Sequence, residues 1–304
     1  MVPRRGLDLL AIVMLALFWG LNWPAVRTAL DELGPWTLRS LGMGVGAAVL
    51  LGLALARQGR IWPNRGDWLP ILIAGLFSIT LFNLLLAFAQ LMAPTSRAVI
   101  VTFTQPIWVV IFARLILGER LDARRTAGLV LGSLGLLCLG WPLIRAGSFG
   151  AGLVLALLAG ISWAFGTVLT KRFPVTTPPI VMAAWQLVGG AAVAFAGMLV
   201  FEPQTITQGI GWAGLHRDTW LALAHHILLS QAVAYVMWYA LLARLPAGTM
   251  SLSMLMVPAI GVTSSVLILS ERPTATDLAG LVLMTAAAAV VNLPARRARA
   301  SGPA

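Results

Sequence analysis

The residues of this chain that could do chemistry at depth are uncharged. Asn22, Asn83, Gln90, Thr102, Gln105, Ser162, Gln186, Gln231, Tyr235 and Tyr239 fall inside long apolar runs, in company with Trp19, Trp23, Trp163, Trp185 and Trp238. Such groups exchange hydrogen bonds and present ring faces, so they can hold a solute without breaking a bond in it. Hydrolysis inside a membrane would need paired carboxylates, a His-Glu-x-x-His helix or a Ser beside a buried base. The apolar runs contain none of these, and no Asp, Glu, Lys or Arg lies near the middle of any run, Arg39 being counted with the loop before it. The expectation is therefore no enzyme, no metal and no cofactor. A strongly anionic solute such as a sugar phosphate is also disfavoured, because a dianion out of water needs a facing cation.

The residues expected to touch a solute are Trp19, Asn22, Trp23, Asn83, Thr102, Gln105, Trp163, Gln186, Gln231, Tyr235 and Tyr239. The competing reading for each is a hydrogen bond between helices, which uses the same residue types. At 100° per residue Leu228, Gln231, Tyr235, Tyr239 and Leu242 fall on one side of a helix, with His225 at its edge and His226 away from it. That projection makes His225 the one group for a proton-linked step, with transport otherwise running down the solute gradient. Pro106 and Pro258 each remove a helix hydrogen bond at matched depth and are expected to act as hinges.

The elements that must position these groups are membrane helices. Of the residues 59% are hydrophobic and 10% charged, and mean hydropathy is +0.90, against roughly 25% charged residues in a soluble domain. Ten apolar runs are separated by charges, Pro or Gly: 9–30, 36–56, 68–92, 98–117, 126–141, 152–169, 180–201, 220–242, 249–269 and 277–293. The first is too long for a signal peptide and carries no cleavage site, so it reads as a retained helix. Cys138 has no partner cysteine and is expected to be an ordinary buried thiol. Trp36, Trp62, Trp68, Trp141, Trp212 and Trp220 lie near the ends of runs, where an interfacial belt belongs.

Alternate loops differ in charge. One set carries fifteen Arg and Lys with four acids and the other six with six, so the whole net charge of +11 falls on one side. By the positive-inside rule both termini are cytoplasmic, in a cell inner membrane. This asymmetry accounts for the basic character without nucleic acid as a partner. The partners expected are a small solute and the lipid bilayer, and a monomer is compatible with these patterns.

The chain also repeats itself. Leu115-Ile116-Leu117-Gly118-Glu119-Arg120 recurs as Leu267-Ile268-Leu269-Ser270-Glu271-Arg272, and the same shift of 152 positions (115 to 267) superposes Pro94 on Pro246 and Pro106 on Pro258. Five helices per copy is an odd number, so the second copy enters from the opposite face. The fold expected is all-α with ten transmembrane helices in two inverted five-helix repeats, residues 1–147 and 148–294, followed by a basic cytoplasmic tail, 295–304. Solute sites in such proteins lie at the interface of the repeats.

Trp19-Gly20-Leu21-Asn22-Trp23, Gly118-Glu119-Arg120-Leu121 and the stretch from Pro258 through Ser270-Glu271-Arg272 together resemble an EamA-type permease of the drug/metabolite transporter superfamily. The resemblance implies a central cavity and the export of small metabolites, amino acids foremost, by alternating access. Its alternatives are a drug or lipid-like solute exporter of the same fold, or a non-transporting membrane subunit.

Overall fold

The computed structural model describes residues 4–146, 150–268 and 275–292, and within them the chain is helical with no strand. The second copy of the motif, from Leu269 through Arg272, and the tail 295–304 lie outside the described residues. In chain order the helices are α1 (Arg4–Leu30), α2 (Pro35–Gln58), α3 (Trp68–Met92), α4, α5 (Ala123–Ala146), α6 (Ala151–Arg172), α7 (Pro179–Phe201), α8 (Arg217–Leu242), α9 and α10 (Ala275–Asn292). Helix α4 comes in two pieces, Thr95–Thr102 and Gln105–Phe112, continued by a π turn, Ala113–Leu117. Helix α9 is likewise divided into Ala247–Ser253 and Met256–Ile268. Among the described residues, eight helical stretches are long and apolar enough to cross a membrane; α5 and α10 are not among them, and α10 contains the shorter apolar stretch Leu278–Val291.

The helices pack in a pattern that repeats. α1 packs on α8 and on the second piece of α9; α6 packs on α3 and on both pieces of α4. α2 meets α8 as α7 meets α3, while α2 pairs with α7 and α5 with α10. Helix for helix these contacts correspond when α1–α5 are exchanged for α6–α10, although α1 meets chiefly the second piece of α9 whereas α6 meets both pieces of α4. Close approach falls to small residues, as it must where no hydrophobic drive separates helix from lipid. Gly128 and Gly132 of α5 lie against Val291, Ala287 and Leu255, and Gly42 and Gly46 of α2 against His226 and Gln231. Both Gly-x-x-x-Gly pairs thus pack helices inside one chain. Cys138 is only partly buried.

Three carboxylates tie one half of the chain to the other at helix starts. Glu202, at the end of α7 and 6% exposed, accepts from the backbone N–H of Trp36 (3.0 Å) and Thr37 (2.8 Å) and from Thr37 Oγ1 (2.6 Å), in the first turn of α2. The first four N–H groups of a helix have no partner within it, so a carboxylate here meets both an unfilled valence and the positive end of the dipole. Glu119 similarly accepts from Ala247 N (3.1 Å) and Gly248 N (3.4 Å), where α9 begins. Asp67 Oδ2 accepts from the backbone N–H and hydroxyl of both Thr176 and Thr177, at 2.6–3.1 Å, just ahead of α7. Burial alone would raise the Asp67 carboxyl, but these donors outweigh it and hold it below the ordinary carboxylate value.

At the other end of the helices Glu32 accepts from His216 and Thr219, and these bonds hold its carboxyl below the ordinary value. An apolar cluster beneath it, Val26, Leu30, Leu33, Leu38, Ala87 and Leu223, packs α1, α2, α3 and α8 together at that end.

Candidate functional site

An internal cavity lies where the two halves meet. It offers about 50 Å³ to the centre of a water molecule, room for a few waters and far less than the roughly 300–1,000 Å³ of an occupied ligand pocket. The two interruptions in α4 and α9 border it. Backbone torsions at Phe103 (φ −77°, ψ 12°) and Met254 (φ −78°, ψ 0°) leave the α-helical well, and both residues line the cavity, as do Gln105 and Val257 at the starts of the second pieces. Pro106 occupies the first turn of the second piece of α4, where its missing N–H costs no helix hydrogen bond; Pro258 sits at the corresponding place in α9.

The wall is aromatic on one side. The Trp19 ring stands 5.2 Å from Trp163, edge-on, 5.5 Å from Trp238 and 5.7 Å from Tyr235. Phe82 covers Trp163 at 4.9 Å. Trp19 Nε1 donates to the Ser230 carbonyl at 3.2 Å, which fixes the plane of the ring.

On the other side the wall is a hydrogen-bonded polar layer. Asn83 Oδ1 accepts from both Gln231 Nε2 (3.0 Å) and Arg39 Nη1 (3.0 Å), and Asn83 Nδ2 donates to Tyr235 Oη at 3.2 Å. His226 Nε2 lies 3.4 Å from Gln231 Nε2 and 3.5 Å from Arg39 Nη1. Both neighbours are donors, so His226 Nε2 accepts and Nδ1 carries the hydrogen, given to Asn22 Oδ1 at 2.8 Å. Gln90 Nε2 donates to the Trp23 carbonyl at 3.1 Å. The Oε1 atoms of Gln90, Gln105 and Gln231 are buried with no hydrogen-bond partner among the described residues.

Arg39 and His226 lie elsewhere than the sequence pattern places them. Arg39, counted above with a loop, is wholly buried, because it stands one turn inside α2 and its guanidinium runs inward beneath the Leu38 cluster to Asn83. Loop counting assigns a charge by its backbone position and misses where a long side chain ends. His226, projected away from the polar stripe, is instead inside the network and fully buried. The reason is a π-helical segment, His225–Val233, whose i→i+5 bonds add roughly one residue per turn and rotate the face. His225 is part-buried, with Nε2 at 3.0 Å from the Phe18 carbonyl.

Of the residues singled out in the sequence, Trp19, Asn22, Trp23, Asn83, Gln105, Trp163, Gln231 and Tyr235 line the cavity together. Thr102, Gln186 and Tyr239 are not part of its wall. Thr102 Oγ1 donates to the Ala156 carbonyl at 3.2 Å, and the Tyr239 hydroxyl bonds to Gln186 Oε1 and lies 3.3 Å from Ser78 Oγ, binding α8 to α7 and α3. Sequence reasoning did not single out Phe82, Phe103, Met254 and Val257, whose apolar side chains carry no signal distinct from core.

A small cavity enclosed by apolar helices, with ring faces on one side and amides on the other, is in keeping with a multi-pass membrane transporter. The EamA-like transporter family model matches the chain twice, over residues 7–141 and 150–293, and the chain belongs to that family. It is 27% identical to an uncharacterized transporter, YvbV, of Bacillus subtilis over 305 residues, covering 99% of this chain and 96% of that one. It is 26% identical to a probable amino-acid metabolite efflux pump of Salmonella typhimurium, covering 90% and 91%. A solved crystal structure superposes with a TM-score of 0.73 at 23% identity, covering 94% of this chain and 98% of that chain, a likeness of fold.

Proposed function

We propose that this protein exports small neutral or zwitterionic metabolites, amino acids foremost, across the inner membrane. It does so by alternating access between two inverted five-helix halves, α1–α5 and α6–α10, with both termini cytoplasmic. The observation that carries the reading is the cavity at the paired interruptions of α4 and α9, bordered by Trp19 and Trp163 on one side and the Asn83–Gln231 layer on the other. Unused amide oxygens suit an ammonium group, and the ring faces suit an aliphatic or aromatic side chain.

The topology is supported by the loop contacts. Asp67 with Thr177, Glu119 with Ala247, and Arg244 with Asp8 (3.2 Å) join loops that the charge count places inside. Glu32 with His216 and Glu202 with Thr37 join loops that it places outside. The exchange symmetry of helix packing supports the repeat. Alternating access then amounts to opening the cavity toward one side as Pro106 or Pro258 lets its half-helix swing.

The test is counterflow in proteoliposomes. Vesicles loaded with an unlabelled amino acid are expected to accumulate the same labelled amino acid transiently. Flux without counterflow would indicate a channel, and no flux of any amino acid would overturn the substrate assignment. A groove of about 750 Å³ among Leu21, Ile260, Thr263, Leu267 and Val282 favours a second reading, a lipid-like or drug-like solute. Competition by such solutes against amino-acid counterflow separates the two.

A further inference from the structure

Among the described residues nothing neutralises the Arg39 cation. It is wholly buried, no carboxylate lies within ion-pair distance among the described residues, and Nε and Nη2 have no hydrogen-bond partner. Its one charged-head bond of ordinary length goes to a neutral amide, Asn83 Oδ1. Burying a guanidinium without a counter-anion is costly, and buried cations in proteins are as a rule paired. The neutral groups that do face it are His226, whose Nε2 accepts, and Tyr235 beyond Asn83.

The position of Asn83 indicates what is missing. Its Oδ1 receives two converging donors, Arg39 Nη1 and Gln231 Nε2, both at 3.0 Å, and Asn83 itself lines the cavity. Two donors meeting on one sp² oxygen is the arrangement a carboxylate oxygen would occupy, with the guanidinium's unused N–H groups left for the second oxygen. The second pieces of α4 and α9 add two helix N-termini to the same cavity through Gln105 and Val257, and each favours negative charge.

We propose that Arg39 is the carboxylate-recognition residue of the transport site. A carboxylate entering the cavity displaces the Asn83 carbonyl, takes the Arg39 and Gln231 donors, and supplies the counter-charge that the empty protein lacks. This rests on the amino-acid reading above and narrows it to solutes bearing a carboxylate. A single guanidinium leaves a phosphate dianion uncompensated, so sugar phosphates stay disfavoured.

The experiment uses the full chain in detergent and two matched probe sets, built on leucine and on phenylalanine. Each set holds the amino acid, its decarboxylated amine, its deaminated acid and its methyl ester, and thermal stabilisation reports binding. In the wild type the amino acid should stabilise and the amine and ester should not. Arg39→Gln should shrink the preference for acid over ester by about tenfold or more, the worth of a charge-assisted pair, and Arg39→Lys should recover part of it. A structural arginine would lower the unliganded melting temperature when removed, whereas one held unpaired for a ligand should leave it unchanged or raised. Asn83→Asp should place an internal anion on Arg39, raise the unliganded melting temperature and abolish acid binding. Equal acid preference in wild type and Arg39→Gln overturns the Arg39 role while leaving the amino-acid reading intact. Binding of the deaminated acids without the amino acids upholds Arg39 and overturns the amino-acid reading. No binding by any carboxylated probe overturns both.

Discussion

Gly42 faces His226 so closely that a β-carbon built on it would stand 2.5 Å from the ring Nε2. The ring cannot move aside, since both its nitrogens are engaged in the polar layer. Gly42→Ala is expected to cost about 1–3 kcal/mol through overpacking, read as a lowered melting temperature in detergent. Gly52→Ala on the same helix meets nothing within 4 Å and should be neutral or slightly stabilising. Equal behaviour of the two variants would contradict the packing of α2 on α8.

The Glu119 carboxylate holds the start of α9 from the other half of the chain. Glu119→Ala should cost about 0.5–2 kcal/mol, the range for a lost helix cap, and should loosen the end proposed to face the cytoplasm. A cysteine replacing Ser253 in a Cys138→Ser background reads that loosening. It should react faster with an impermeant maleimide from the cytoplasmic face when Glu119 is absent, and an unchanged rate would count against a gate at this end.

Asp67 provides a pH test. Its carboxyl is held below the ordinary value of 3.8, so the folded state prefers it ionised. The stability it contributes is fully present above the unfolded value and is lost as pH falls through the folded one. Asp67→Asn should therefore lie about 1–3 kcal/mol below wild type at neutral pH, with the gap closing below pH 3.8. A gap that persists in acid would assign the loss to packing.

Topology is decided by Gln58 and Gln208, both exposed and beside left-handed glycines at 59 and 209 that a substitution should not touch. Single cysteines at the two glutamines, again without Cys138, should label from opposite faces of the membrane. Labelling from the same face would refute the inverted repeat.

Driving force turns on His225. His225→Gln keeps a hydrogen-bonding side chain and removes titration, so a passive carrier should keep its flux and its pH dependence. Uphill accumulation driven by an imposed pH gradient, and lost in the variant, would make transport proton-coupled. His226→Gln tests the buried histidine of the polar layer in the same assay.

Much of this was legible in the sequence because it is written in spacing. The matched Leu-Ile-Leu motifs, the alternating loop charges and the prolines at equal depth are periodic signals, and the polar residues Asn22, Asn83, Gln105, Gln231 and Tyr235 stand out against lipid-like surroundings. What stayed hidden depends on phase and reach. A helical wheel assumes one winding throughout, so a π segment through His225–Val233 turned His226 into the network unannounced. Arg39 was misplaced because it stands one turn inside α2 and three methylenes carry its charged head to Asn83. Phe82 and Met254 were invisible since apolar wall and apolar core use the same residues.

The π segments bear on history. Of the three among the described residues, one runs through Leu76–Leu81 of α3 and another through His225–Val233 of α8, and the 152-residue shift that superposes the motifs carries the former onto 228–233, inside the latter. A π segment winds wider than the α-helix on either side of it, so α3 and α8 are irregular at matched positions. On the proposed duplication, a wider turn at the same place in both halves is most simply inherited from the single unit. On that proposal an irregular third helix preceded the second copy.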